Sequence, residues 1–459
     1  MRDNIESNGL WYLPSSEDDK ISGKISYSQE QGIILETLGS FGEIKQIFSD
    51  TDYAIILGVL QNGKKVTLIN NAITSRTVNF PGIPTVKYIS SYMLIGQHFH
   101  NKENINFNEI SVEYHNLKKW TNISGIDNAQ WSNTEISLHY SLPDEINFKV
   151  NNYEALLKFS ASRRNDNFGI FSLTEEIEFK LVNQNETSIF DILRDSLIFQ
   201  GFLTFATLES SYSNKILLRN NNDFETYNNS KIYHEVELLY KSKISKSKKQ
   251  KHTFEFLFTY SDIKNNFQNI IDKWYKYDQE IEPIIYLFLN SFYSHNTIFS
   301  ENKFLEIIHA LETFHRRTHK NYVISKAEYR KQTKDILDSI PQEHRDWLQA
   351  KLNFGNEPSL HERLVELLSE IKEFKILQEI ISDNDQFIKD VKNSRNYYTH
   401  YDKSLEKKYL KGSALYYLTM KLRIVLIVHL LISLGFGKEK INQILQRLKD
   451  HHYNFLFRS

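Results

Sequence analysis

The stretch FIKDVKNSRNYYTH, residues 387–400, decides how the C-terminal half of the chain is interpreted. Its residues Phe387, Val391 and Tyr398 recur at helical spacing, which predicts an amphipathic helix with one inward face. Arg395 follows Val391 by four residues and therefore falls on that inward face. A guanidinium on a packing face requires a carboxylate, a partner chain or a ligand phosphate, because an unpaired buried charge is costly.

The same helix carries the side chains that cleavage of a phosphodiester requires. Arg395 offers a planar fork of donors that matches phosphate oxygens. His400 belongs to the residue type that can both accept and release a proton near neutral pH. Asn396 precedes His400 by four residues and is its neighbour on the helix surface. These three residues are the predicted catalytic set. The alternative is an arginine satisfied by a core acid, with an unrelated histidine at the helix end.

Length, charge and composition exclude several classes of protein. The chain has 459 residues and a formal charge of −1, so its net charge does not attract nucleic acid to the surface as a whole. It contains no cysteine, which excludes disulfides, thiolate zinc sites and cysteine nucleophiles. The first residues, MRDNIESNGLWYLP, lack the apolar core of a signal peptide. The most apolar run, 424–436, is short and contains His429, which predicts a buried core helix. We therefore expect a cytoplasmic protein without a membrane contact.

The chain up to about residue 240 alternates apolar and polar residues with period two, which is typical of half-buried strands. The pair Asn62-Gly63 separates two strand-like runs and predicts a hairpin with a type I′ turn. Apolar residues at helical spacing over 188–205 predict one helix that packs on a sheet. The alternation is clearest at Ile25 and Tyr27, at Ile110, Val112 and Tyr114, at Ile136, Leu138 and Tyr140, and at Ile177, Phe179 and Leu181.

A change of composition separates this half from the rest. The segment KSKISKSKKQK, residues 241–251, has six lysines and no acid, which predicts an exposed linker. Its alternative role is contact with an RNA backbone, since clustered ammonium groups displace counterions from phosphates. Beyond residue 260 the periodicity is helical, and Ser359 with Glu362 forms a capping box. The predicted fold is α+β and multidomain: a β-rich domain over 1–240, a lysine-rich linker over 241–252 and an all-helical domain over 253–459.

Two pairs of residues have the spacing of ligands in carboxylate-bridged di-iron bundles, namely Glu306 with His309 and Glu312 with His315. Both pairs lie on one predicted helix, so they point about 120° apart and cannot converge on one site. His315 and His319 share a helix face, but the segment between them lacks the glutamate of a zincin motif. The sequence therefore predicts surface or interface histidines here, and neither a metal nor a cofactor.

The order Arg395, Asn396, His400, late in a helix and before a long apolar helix, resembles the motif of the HEPN family. That motif is arginine, a polar residue, three to five further residues and histidine. The segment ALETFHRR, residues 310–317, resembles the acidic helix that faces the motif in this family, which implies that Glu312 orients Arg395 or His400. The N-terminal half is similar to that of ApeA-like anti-phage defence proteins, in which a β-rich domain precedes HEPN. The similar segments are 9–14, 23–41, 62–70 and 202–208.

The resemblance implies an endoribonuclease that acts without a metal and is triggered through its N-terminal domain. The ribose 2′-oxygen attacks its adjacent phosphorus, His400 moves the proton and Arg395 stabilises the charge that develops. The expected products are a 2′,3′-cyclic phosphate and a 5′-hydroxyl. Lys392, Tyr398 and Thr399 are expected to contact the substrate.

The partners that the resemblance implies are RNA, with tRNA as one candidate, a phage-derived trigger and a second copy of the chain. In this family two HEPN domains bring their motifs together, so a homodimer is expected. Two alternatives remain from the sequence. One is a non-catalytic module that binds RNA or protein, and the other is the toxin of a toxin–antitoxin pair.

Overall fold

The protein combines a strand-rich N-terminal region with a helical C-terminal region, which confirms the predicted fold class. The computed structural model describes residues 4–41, 52–77, 81–132, 135–165, 169–242, 251–293 and 301–451. One compact unit comprises 1–268 with 293–295, and the other comprises 269–292 with 296–459. Residues 253–268, which the sequence assigns to the helical domain, thus lie in the first unit. Most of the lysine-rich run, 243–250, lies outside the described residues.

The first unit is built mainly from antiparallel strands, as its period-two pattern predicts. The strands are β1 (Ile5–Leu13), β2 (Ser16–Ser28), β3 (Gly32–Leu38), β4 (Tyr53–Leu60), β5 (Lys65–Thr77), β6 (Thr85–Ile95), β7 (Asn106–Tyr114), β8 (Ile126–Trp131), β9 (Ile136–Tyr140), β10 (Ile146–Val150), β11 (Tyr153–Asn165), β12 (Phe171–Ser188), β13 (Ser213–Tyr227) and β14 (Ser230–Tyr240). The four alternating segments of the sequence fall in β2, β7, β9 and β12, so these predictions are confirmed.

Twelve of these strands form one sheet, in the order β10-β11-β12-β7-β13-β14-β6-β3-β2-β1-β4-β5. Strand β5 also pairs with β6, which closes the last six strands of that order into a barrel. Inside it, Trp11 is fully buried and lies opposite Gly58 on the paired strand. A Cβ atom at position 58 would overlap the indole ring of Trp11, so only glycine permits this close approach.

The hairpin at Asn62-Gly63 forms between β4 and β5 as predicted, but its turn is not type I′. A type I′ turn needs positive φ at both central residues. Gly63 has φ of 82°, whereas Asn62 is not in the positive-φ region. The amide of Gly63 donates to Leu60 O at 2.8 Å, and the amide of Leu60 donates to Lys64 O at 2.9 Å. The glycine thus follows a turn and closes a longer loop with a bulge.

The first unit contains three helices among its described residues: α1 (Leu117–Thr121), α2 (Ile189–Thr207) and α3 (Tyr260–Ile263). Helix α2 confirms the helix predicted over 188–205. It begins at Ser188, whose hydroxyl accepts a hydrogen bond from the amide of Phe190 at 3.3 Å. Its Phe199 stacks on Phe179 of β12, with 4.1 Å between ring centroids. The helix therefore packs on the sheet through aromatic contacts.

The helical unit begins within α4 and contains the predicted C-terminal helices. They are α4 (Phe267–Tyr293), α5 (Glu301–Thr318), α6 (Lys326–Asp338), α7 (Gln342–Leu352), α8 (Leu360–Glu370), α9 (Lys375–Ile380), α10 (Asn384–His400), α11 (Gly412–Ser433) and α12 (Lys438–His451). The capping box of Ser359 and Glu362 opens α8, as its sequence predicts. The interior of this unit is formed chiefly by α5, α8, α10 and α11, which contact one another.

Helix α11 is the most apolar helix of the chain. By length and composition alone it is long and apolar enough to cross a membrane, but 67% of its most apolar window is buried inside the protein. His429 lies in this helix with only 3% of its surface exposed. Because the apolar surface is covered by neighbouring helices, α11 is the core helix that the sequence predicts.

Candidate active site

Helix α10 fixes the positions of the motif residues. Its N-cap is Asp383, whose carboxylate accepts a hydrogen bond from the amide of Gln386 at 2.9 Å. The helix ends at His400, because Tyr401 adopts a left-handed conformation with φ of 50° and ψ of 40°. His400 therefore occupies the last turn, where the free carbonyl ends carry partial negative charge. The buried side of α10 consists of Phe387, Ile388, Val391, Ser394 and Tyr398.

Arg395 is half-buried beside this face and does not lie fully within it. The fully buried position next to it belongs to Ser394, which is 0% exposed. The Nη1 atom of Arg395 donates to Asn396 Oδ1 at 3.2 Å. Its Nε atom is buried without a hydrogen-bond partner, and no carboxylate in the described part of the chain forms an ion pair with it. The guanidinium thus retains donors for an anion that the described residues of this unit do not supply.

His400 is exposed, and its side chain forms no hydrogen bond with any residue that the structure describes. Its acidic neighbour is Asp402, whose carboxylate accepts a hydrogen bond from the amide of Ser404 at 2.8 Å. This bond, and to a smaller extent the charge of His400, lowers the pKa of Asp402. The Asn396 side chain accepts a hydrogen bond from Arg395, and among the described residues no side-chain hydrogen bond joins it to His400. The structure therefore joins two of the three motif residues and leaves the imidazole open to solvent.

Glu312 is half-buried on α5, and its carboxylate interacts electrostatically with the guanidinium of Arg363 on α8. Burial lowers the pKa of Arg363, and the nearby carboxylates of Glu312 and Glu357 oppose that change. Within the described ranges, Glu312 forms no hydrogen bond or ion pair with Arg395 or His400. Its role in orienting the motif thus stays a prediction.

The three residues that are expected to contact substrate differ in their exposure to solvent. Lys392 and Thr399 are exposed on α10, whereas Tyr398 is only 8% exposed. The hydroxyl of Tyr398 donates to Leu410 O at 2.9 Å, and the amide of Leu410 donates to Ser394 Oγ at 3.0 Å. Tyr398 therefore holds the segment that follows the motif against α10. The sequence alone does not reveal this pairing, because Leu410 lies twelve residues beyond Tyr398.

A tyrosine stack, formed by Tyr397, Tyr401 and Tyr409, borders the motif. The rings of Tyr397 and Tyr409 stack with centroids 3.6 Å apart, and Tyr401 lies 5.8 Å from Tyr397. Tyr401 is 70% exposed. Exposed lysines follow at 403, 407, 408 and 411, with Asp402 and Glu406 as the acids of this segment. Aromatic rings and ammonium groups side by side suit the bases and phosphates of a single nucleic-acid strand.

Of the two histidines that were predicted to be surface or interface residues, His315 is buried inside the helical unit. His315 is 0% exposed, and its ring stacks on that of His319 with 4.5 Å between centroids. Arg363 Nη1 donates to His315 Nδ1 at 2.9 Å, so the proton of the neutral ring lies on Nε2, which donates to Glu366 Oε2 at 2.8 Å. His319 Nε2 lies 2.9 Å from Glu370 Oε1. The spacing of four residues between His315 and His319, and between Glu366 and Glu370, is visible in the sequence. The sequence does not show that the two pairs contact each other.

Two family models match the chain. Residues 6–274, more than half of the sequence, match the model described as ApeA N-terminal domain 1. Residues 305–440 match the model described as Apea-like HEPN, and this range includes Arg395, Asn396 and His400. No curated protein and no solved structure matches the chain.

Proposed function

The chain belongs to the family of ApeA-like proteins with a C-terminal HEPN domain, and from this premise we propose that it is an endoribonuclease that acts in anti-phage defence. At the level of the family, such proteins are defence-associated HEPN nucleases. Within this chain one observation carries the proposal. Arg395 keeps unpaired donors beside Asn396 and has no acidic partner among the described residues, five positions before an exposed His400.

The proposed reaction uses the RNA as its own nucleophile. The 2′-oxygen forms a bond to phosphorus while the bond from phosphorus to the 5′-oxygen breaks, which leaves a 2′,3′-cyclic phosphate. His400 accepts the proton of the 2′-hydroxyl, and the departing 5′-oxygen takes a proton from a second group. Arg395 donates to the phosphorane oxygens, where negative charge develops. Asn396 holds the guanidinium through its Oδ1 atom. DNA lacks the 2′-hydroxyl and is not a substrate.

The second proton donor is proposed to be His400 of another copy of the chain. One imidazole cannot easily serve both ends of an in-line displacement, and HEPN domains commonly form dimers. Among the described residues no acid or base forms a hydrogen bond with the His400 side chain, so these residues do not supply the second member of an acid–base pair. A homodimer therefore completes the site, with RNA lying over the tyrosine stack and the lysines that follow it.

The composite site predicts that an inactive chain impairs the wild-type chain with which it pairs. Wild-type and His400→Ala chains, denatured together and refolded, form heterodimers that keep only one of the two histidines that the proposed reaction uses. We expect a heterodimer to cleave RNA about tenfold or more slowly than the refolded wild-type dimer, given the usual size of acid–base catalysis. The measurement is the initial rate on a fluorescent RNA as the share of His400→Ala chains rises. A rate that falls only in proportion to the remaining wild-type chains contradicts the composite site.

We further propose that the strand-rich unit restrains the nuclease in the cytoplasm until a phage component reaches it. An uncontrolled ribonuclease would poison its own cell, so a protein of this kind requires a restraint. Cells should tolerate the chain at native expression before infection. Toxicity at that expression level would point to a toxin of a toxin–antitoxin pair.

The end groups of the cleaved RNA test the proposed chemistry. Purified full-length protein is incubated with total RNA in EDTA, with and without lysate of phage-infected cells, and its melting temperature is recorded under the same conditions. We expect new 2′,3′-cyclic phosphate and 5′-hydroxyl ends in the presence of lysate. Ends with a 5′-phosphate contradict attack by the 2′-oxygen. RNA that is retarded in a gel but intact in every sample indicates a non-catalytic binding module.

A further inference from the structure

A second cluster of ligand-type groups lies in the helical unit and is not used by the proposed nuclease. His319, which directly follows α5, and Glu366 and Glu370 of α8 each offer a nitrogen or oxygen atom, and these atoms lie within 4.8 Å of one another. The side chains of Glu366 and Glu370 are 51% and 42% exposed, whereas that of His319 is 13% exposed. The cluster is therefore buried on its histidine side and open on its carboxylate side.

The hydrogen bonds of His319 determine which nitrogen faces this cluster. The hydroxyl of Thr318 donates its only proton to Phe314 O at 2.7 Å. The same oxygen lies 2.7 Å from His319 Nδ1, so it accepts the proton of that nitrogen. The neutral ring then presents the lone pair of Nε2 towards Glu370 Oε1, 2.9 Å away. A hydrogen bond that fixes the tautomer in this way is usual for metal-binding histidines.

A deeply buried histidine of α11 adjoins the same carboxylate. His429 is 3% exposed, and its Nε2 donates to Leu367 O at 3.1 Å. In the neutral ring Nδ1 therefore carries a lone pair and no proton. This atom lies 3.7 Å from Glu370 Oε2, beyond hydrogen-bond distance. A nitrogen lone pair and a carboxylate oxygen thus lie near each other with no hydrogen bond between them, and a cation bound by both would stabilise this arrangement.

We propose that His319 Nε2, Glu366, Glu370 and His429 Nδ1 bind a divalent transition-metal ion of the zinc class. Two imidazoles and two carboxylates suit such ions, and bonds of about 2.0 to 2.2 Å would set tetrahedral ligands about 3.4 Å apart. The distances of 2.9 Å and 3.7 Å to Glu370 bracket that separation. The ligand atoms of His319, Glu366 and Glu370 lie within 4.8 Å of one another, and His429 Nδ1 adjoins this group at Glu370.

The surrounding groups support the two ends of this site. His315 donates from Nε2 to Glu366 and is itself held by Arg363, so it orients a ligand without being one. The ligands come from the residue that follows α5, from α8 and from α11. The ion would therefore join these helices and stabilise the unit. The site contains neither Arg395 nor His400, so this inference does not depend on the proposed nuclease.

Cobalt binding tests the proposal on the full chain. The protein is freed of its affinity tag, stripped with a chelator and titrated with Co²⁺, while the visible absorption and the metal content are measured. Because the chain contains no cysteine, thiolate bands cannot obscure the spectrum. We expect a single ion per chain, visible bands typical of low coordination that Zn²⁺ abolishes, and a melting temperature that rises with Zn²⁺. Binding of less than one Co²⁺ ion per chain, or a melting temperature that Zn²⁺ does not change, overturns the proposal.

Variants separate this site from adventitious binding. Glu370→Gln keeps the shape of the side chain, and we expect it to weaken Co²⁺ binding at least about tenfold, as does His319→Ala. His309→Ala is the matched control, since His309 is an exposed histidine of α5, the helix that precedes His319. It should bind Co²⁺ like the wild type. If His319→Ala does not fold, Co²⁺ binding by Glu370→Gln alone tests the site. Unchanged binding by folded Glu370→Gln indicates that His319 and Glu370 form only an ion pair, and overturns the site.

Discussion

His400→Ala is expected to lower the rate of RNA cleavage by about 10²- to 10⁴-fold, the usual contribution of a positioned acid or base. His400 is exposed at the end of α10, and its side chain forms no hydrogen bond with the described residues, so its removal should leave the fold intact. A loss of activity would then report on proton transfer and not on unfolding. The measurement is the single-turnover rate on a defined RNA, together with the melting temperature of the variant.

His309→Ala provides the control for this experiment. His309 is likewise exposed, but it lies on α5 and outside the motif. It should cleave RNA at the rate of the wild-type protein. A folded His400→Ala variant with wild-type activity would remove His400 from the mechanism and leave the proposed chemistry without its base.

Arg395→Lys is expected to reduce the maximal rate by about 10²- to 10³-fold, comparable to the loss of a donor from an oxyanion hole. Lysine keeps the positive charge but loses the planar fork that donates to two phosphate oxygens at once. It also loses the bond geometry that joins Arg395 to Asn396 at 3.2 Å. Because the charge persists, RNA affinity should change much less than the rate. Separate measurements of binding and single-turnover cleavage check this distinction.

Arg330→Lys is the matched control, because Arg330 is an exposed arginine of α6. It should change neither the rate nor the affinity. If Arg395→Lys weakens RNA binding strongly and leaves the rate at saturation unchanged, Arg395 binds the ground state of the RNA and does not stabilise the transition state. In that case the proposed mechanism would need another source of charge stabilisation.

The two sites of the helical unit, the motif at Arg395 and the histidine–carboxylate cluster, differ in the charge of the ligand that they can bind. At the motif, a half-buried cation lacks an acid among the described residues, so it is suited to bind an anion from outside. In the histidine cluster, lone pairs and carboxylates converge, so that site is suited to bind a cation. An EDTA effect on the stability of the protein would therefore not by itself show that RNA cleavage requires a metal.

Much of the fold follows from local patterns. Alternation with period two places β2, β7, β9 and β12, and the capping box of Ser359 places the start of α8. These patterns depend only on neighbours along the chain, because side-chain direction repeats every two residues in a strand and every 3.6 in a helix. The turn at Asn62 was predicted wrongly, since the loop length that the two strands require selected another turn type.

The sequence by itself determined the motif, its helix and the change from strands to helices, since each is a matter of local spacing. Only the tertiary structure decided what surrounds them. The hydrogen bond of Tyr398 to Leu410, the exposure of His400 and the lack of an acid beside Arg395 among the described residues depend on which segments pack together. The same holds for the contacts of Glu370 on α8 with His319, which follows α5, and with His429 of α11. Spacing along the chain orients a side chain on its own helix, but packing alone selects the groups that it faces.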